Sequence, residues 1–82
     1  MSNRKSKPAQ PHGVLIEQHR HLVPAIARRY ASSCPEPLED LIQEGLFGLL
    51  QAAQRYDAKQ KVPFEAFARL YIRGAILHHL RD

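Results

Sequence analysis

Apolar residues recur at helical spacing over three stretches of this chain. The first runs through Leu15, Leu22, Val23, Ile26, Ala27 and Tyr30. The second is a continuous stripe of Leu38, Leu41, Ile42, Gly45, Leu46, Leu49, Leu50, Ala53 and Tyr56. The third comprises Phe64, Phe67, Ala68, Tyr71, Ile72, Ala75, Ile76 and Leu80. Returns every three or four residues put such positions on one face of a helix. No strand-like alternation interrupts them. The pattern predicts an all-α chain folded as a compact three-helix bundle.

Helix breakers set the boundaries. Pro24 falls inside the first stretch, where it removes a backbone donor and crowds the preceding turn. That predicts a kink, or a helix that starts afresh near Val23. Ser32-Ser33-Cys34-Pro35-Glu36-Pro37 reads as a loop. Pro37 suits the first position of the second helix, with Glu39 and Asp40 in the turn where the helix dipole favours negative charge. Asp57 to Val62 is a polar connection, and the third helix is expected to start at Pro63. Gly45 and Gly48 each cost about 1 kcal/mol relative to alanine in a helix. Such positions predict a close backbone approach by a neighbouring helix or a partner. Residues 1–13 lack apolar periodicity and contain Pro8, Pro11 and Gly13. They are predicted to be a disordered basic arm, leaving 14–82 as the helical domain.

Length and charge narrow the picture. With 82 residues, one small domain is the ceiling. Cys34 is the only cysteine, so no internal disulfide is expected and a cytoplasmic setting fits. No apolar run approaches the roughly 20 residues that span a bilayer, so no membrane partner is expected. The net charge of +4 is unevenly spread. Residues 1–30 hold six bases and one acid, 31–54 hold four acids and no Lys or Arg, and 55–82 hold six bases and three acids. Basic surface favours a polyanion, and nucleic acid is the usual one. The acidic block would repel it and is expected to face something else.

The run Asp40-Leu-Ile-Gln-Glu-Gly45, with Gly48-Leu49, Ala53 and Arg55-Tyr56-Asp57, resembles conserved region 2 of the bacterial sigma-70 family, the promoter-recognition subunits of RNA polymerase. Upstream, His21-Leu-Val-Pro-Ala-Ile-Ala-Arg-Arg-Tyr30 is similar to that family's first conserved helix. Downstream, Phe64 to Leu77 is similar to its promoter-melting helix. The Ile72-Arg-Gly-Ala75 segment is nearer the alternative (flagellar and stress-response) branches than the housekeeping one. The resemblance covers residues 15–82, and several blocks in the right order are more specific than any single motif.

The resemblance implies two partners. Asp40, Gln43 and Glu44 would contact the coiled-coil clamp of the core RNA polymerase β′ subunit, where acids pair with an arginine-rich partner. The dipole at a solvated helix start would explain the acids equally well. Phe64, Phe67 and Tyr71 occupy the family's aromatic positions, which hold a base pulled from the opened minus-ten promoter DNA. Arg69 and Arg73 would hold phosphates of that single strand. The aromatics also lie on the apolar stripe, and such a stripe is usually core. Phe67 and Tyr71 are expected to be at least partly accessible, while Phe64 is left open. An anti-sigma factor is a further candidate partner.

The departures bear on function. Leu70 stands where housekeeping members carry tryptophan. Gly74 and Leu77 replace polar readers of base pairs, and neither side chain can donate or accept a hydrogen bond. Lys61 replaces a glycine before Pro63, so the loop is expected to differ. The chain ends at Asp82, where the melting helix would finish, without the family's later regions. Two roles are therefore expected: a module that binds polymerase and melts the minus-ten element, or a decoy that competes for polymerase without initiating. An enzyme is not expected, because three short helices offer little concavity. No cofactor or metal is expected either. His19, His21, His78 and His79 are not spaced for a shared ion and are expected on the surface.

Overall fold

In the computed structural model, which describes residues 12–81, the chain forms four helices. These are α1 (His12–His19), α2 (Leu22–Ala31), α3 (Leu38–Arg55) and α4 (Phe64–Arg81). The all-α class agrees with the periodicity. The count is four rather than three because the first apolar stretch breaks at Arg20-His21. The Val23 N–H donates to the Arg20 carbonyl at 3.1 Å, and α2 restarts at Leu22. Pro24 is then the third residue of α2. The first four N–H groups of a helix have no intrahelical partner, so the missing donor costs nothing there. The expected arm overlaps α1 at His12 and Gly13, and its remainder, residues 1–11, lies outside the described residues.

The two long helices form the main contact of the fold, and α2 and α1 pack across them. Pro37 sits one position earlier than expected, as the cap of α3, with φ −62° and ψ 141°. Its carbonyl accepts from the N–H groups of Asp40 and Leu41 at 3.1 and 3.3 Å. Pro63 plays the same part before α4, accepting from the Phe67 N–H at 3.1 Å. Between α3 and α4, the Tyr56 hydroxyl donates to the Val62 carbonyl at 2.7 Å and closes the loop. No described non-glycine residue has a positive φ, so Lys61 sits there without left-handed strain.

The core is built from Leu22, Val23, Ile26 and Ala27 of α2, Leu41, Leu49, Ala52 and Ala53 of α3, and Phe64, Ala68, Ile72 and Ile76 of α4, with Leu15 of α1 at its edge. The glycines on α3 set how closely these helices approach. A Cβ built on Gly48 would collide with the Tyr71 carbonyl oxygen and lie 2.8 Å from its carbon and 2.9 Å from the Ile72 Cα. A Cβ on Gly45 would lie 2.8 Å from Val23 Cγ1. Both close approaches are therefore to neighbouring helices of the same domain.

The expected stripe on α3 was too wide. Leu41, Gly45, Leu49 and Ala53 are buried, but Leu46 and Leu50 are exposed on its far edge. No described helix is long and apolar enough to cross a membrane.

Candidate functional site

The second helix of the sequence pattern, α3, presents an apolar surface to solvent. Phe47 is 62% exposed, with Leu46 and Leu50 beside it at 36% and 40%. With Gln43 they line a shallow depression of about 320 Å³. Asp40 and Gln43 are exposed and Glu44 is half-buried at the margin of this surface. The structure thus brings the three expected polymerase contacts together with an apolar patch. Phe47 belongs to no stripe in the sequence. The signal that could have found it is that a large ring with no place on the buried face must point outward.

Glu44 also faces α4. His79 Nδ1 lies 3.6 Å from Glu44 Oε2, and His79 Nε2 lies 3.4 Å from Glu36 Oε1. One imidazole therefore ties the end of α4 to the α2–α3 loop and to α3. This corrects the expectation of a plain surface histidine. His19 is corrected likewise. Its Nδ1 lies 2.8 Å from the Leu15 carbonyl, and its ring packs edge-on against Phe64 at 4.8 Å.

The rings form a continuous row from α1 across the end of α3 to α4. Phe64 lies 5.1 Å from Tyr56, Tyr56 lies 5.4 Å from Phe67, and Phe67 lies 4.9 Å from Tyr71, between ring centroids. Phe64 is only 7% exposed and is a core residue. Phe67 and Tyr71 are half-buried, so each keeps part of its surface in water. Tyr56, read from the sequence as a stripe position, is the half-buried ring that backs Phe67. Beyond Tyr71 runs a groove between α3 and α4 of about 420 Å³, lined by Phe47, Gln51, Leu70, Gly74 and His78 among others.

The arginines are elsewhere. At about 100° per residue, Arg69 and Arg73 project roughly 160° around α4 from Phe67 and Tyr71. They face α2, where they line a cleft of about 450 Å³ with Ile26, Arg29 and Tyr30. Arg69 is held by Glu65 through Nη2 at 3.0 Å and Nε at 3.3 Å. The five residues expected to hold one DNA strand therefore divide into a core ring, an aromatic flank and a basic flank.

Of the positions that depart from the housekeeping pattern on α4, Leu70 is 57% exposed and Leu77 is also exposed. A Cβ on Gly74 would meet nothing within 4 Å, so packing does not demand a glycine there. No group of three or more His, Cys, Asp or Glu residues suited to a metal ion occurs among the described residues.

An acidic, apolar-faced helix packed against a basic helix with an aromatic flank defines a helical domain with two chemically distinct faces. Comparison with known proteins supplies its family. The sequence profile of sigma-70 region 2 matches residues 15–82, and the chain belongs to that family. It is 42% identical over 69 residues to RNA polymerase sigma factor FliA of Pseudomonas aeruginosa, covering 82% of this chain and 28% of that protein. It is 44% identical over 68 residues to RNA polymerase sigma-B factor of Bacillus anthracis, covering 83% of this chain and 26% of that protein. It is 42% identical over 69 residues to RNA polymerase principal sigma factor HrdD of Streptomyces coelicolor, covering 84% of this chain and 20% of that protein. The chain thus spans well under a third of each relative's length.

Proposed function

We propose that this domain acts in transcription initiation, binding core RNA polymerase through α3 and holding an opened promoter strand on the aromatic flank of α4. The observation that carries the reading is the exposed patch of Leu46, Phe47 and Leu50 bordered by Asp40, Gln43 and Glu44. Exposed apolar surface rimmed by polar groups marks a docking face. The acids select a basic partner, and the β′ clamp helices are the one the family implies. Phe67 and Tyr71 offer partly open rings on which an unstacked base can rest, a contact worth about 1–3 kcal/mol. Phe64 supports them from within the core rather than touching DNA. No covalent step is involved.

Binding to an isolated β′ clamp helix pair tests the docking face. Gln43→Ala should weaken it several-fold, because a hydrogen bond at an interface contributes roughly 1 kcal/mol. Glu44→Lys should weaken it more, because it sets a like charge against the partner. Affinity indifferent to both changes would remove α3 as the contact surface.

A second reading is favoured by the reading face itself. Leu70, Gly74 and Leu77 give α4 no polar side chain at those positions. A domain with a complete polymerase surface and a poor base-reading surface would compete with full sigma factors. Added to a transcription reaction driven by a full sigma factor, such a competitor should inhibit it and support no initiation alone. Initiation by this chain alone would rule the competitor out.

A further inference from the structure

The exposed positions of α3 and α4 match one another in register. A Cβ on Gly48 would lie 2.9 Å from the Ile72 Cα, so these two residues stand at one level of the helix pair. Gly45, one turn earlier on α3, faces the tip of Ile76, one turn later on α4, so the two helices run antiparallel. Both rise equally per residue, and each step back along α3 is matched by a step forward along α4. Glu39 then stands level with Arg81, Gln43 with Leu77, Leu46 with Gly74, and Leu50 with Leu70. Each row advances by three or four residues and so keeps to one face of its helix. Every member of both rows is exposed. Phe47, Leu70 and Gly74 line the α3–α4 groove between the rows, which places both on one side of the domain.

We propose that this side binds a second copy of the chain in a two-fold dimer, with α3 of each copy lying on α4 of the other. An axis parallel to the helices preserves level, so the matched positions meet in both halves of an isologous contact. Leu50 packs on Leu70, and Glu39 faces Arg81. Phe47, 62% exposed, enters the space over Gly74, where a Cβ would meet nothing within 4 Å. Charge selects this arrangement over the others. Residues 31–54 hold four acids and no Lys or Arg, so α3 on α3 would set acids against acids. The last turn of α4 carries His78, His79 and Arg81, so α4 on α4 would gather bases. Only the crossed arrangement sets each helix against its opposite. It also gives a task to Leu70, Gly74 and Leu77, which a base-reading role leaves without one. A partner of another sequence is the competing occupant. The matched rows favour a copy, because both halves of the register lie in this one chain.

The face runs about 20 Å along two helices that together are about 20 Å wide, or roughly 400 Å² per copy. Standard interfaces cover about 800 Å² per partner, so the dimer is weak, with a Kd on the order of 10–100 µM. Its consequence rests on the reading of α3 as the polymerase surface. The dimer covers Leu46, Phe47 and Leu50, so crowded chains mask their own docking face and the β′ clamp releases monomers.

Sedimentation velocity of the 82-residue chain from about 1 µM to about 1 mM tests the dimer. Leu70→Asp should weaken it at least about tenfold while leaving affinity for the isolated clamp helix pair unchanged. Glu39→Arg and Arg81→Glu should each weaken it roughly three- to tenfold, because each sets like charges together twice. An equimolar mixture of those two variants should recover the parent affinity, since the mixed dimer pairs Arg with Glu at both ends. Circular dichroism verifies that each variant is folded. A chain that stays monomeric throughout overturns the proposal and leaves the face to a partner of another sequence. A dimer indifferent to Leu70→Asp, or a mixture that recovers nothing, overturns the crossed register. A clamp helix pair bound to an intact dimer would overturn the masking. Dimerisation in this register by a chain with no clamp affinity would uphold the dimer and defeat the polymerase reading.

Discussion

Replacing Gly48 with alanine should destabilise the domain by about 2 kcal/mol. The added Cβ would collide with the Tyr71 carbonyl and stand 2.9 Å from the Ile72 Cα. Those are backbone atoms of α4, which no side-chain rotation can clear. The two long helices must separate, and their shared core of Leu49, Ala52, Ala68 and Ile72 loosens with them. Overpacking costs roughly 1–3 kcal/mol, and a contact with backbone belongs at the upper end. Alanine recovers about 1 kcal/mol of helix propensity. The remainder is a large share of the roughly 5–15 kcal/mol that holds a domain together, and this one is small. A fall in melting temperature of about 8–16 °C follows for this size.

The other glycines supply the controls. Gly74→Ala meets open space and should gain up to about 1 kcal/mol from propensity alone. Gly45→Ala meets the side-chain tips of Val23, Ile72 and Ile76 and should fall between the two. Thermal unfolding followed by circular dichroism orders the three. A Gly48→Ala domain as stable as the parent would mean that α3 and α4 cross less closely than described.

The same residues show what the sequence could and could not convey. Helix type and approximate bounds were legible because period and breakers are local. The cost of two glycines in one helix pointed to a close approach, but not to which neighbour came near. The extra break in the first stretch followed from Pro24, whose alternatives of kink or restart differ only by how the chain turns at Arg20-His21. Partnerships across the fold left no local trace. His79 and Glu36 are 43 residues apart, and nothing near either announces the other. The division of the α4 residues was available in principle. Arg69 and Arg73 step around the helix away from Phe67 and Tyr71 by simple geometry. Only the position of α2 shows that this side forms a cleft.

The apolar face of α3 was the least legible part, because an apolar residue reads the same whether it packs inward or awaits a partner. Its importance makes Phe47→Asp the largest expected functional effect. Phe47 is the most exposed large apolar residue of the domain, and it lines both the α3 depression and the α3–α4 groove. Exposed aromatics of this kind dominate interfaces, where truncating one typically costs 2 kcal/mol or more. Placing a carboxylate there adds desolvation of a charge, so affinity for core polymerase should fall by about thirtyfold or more. The free domain should barely register the change, because exposed substitutions stay within about 0.5 kcal/mol. That split separates Phe47 from Glu44, whose replacement also removes a contact with His79. The measurement is paired: melting temperature of the variant alone, then its affinity for core polymerase. Unchanged affinity with an intact fold would mean that the apolar face of α3 serves some other contact.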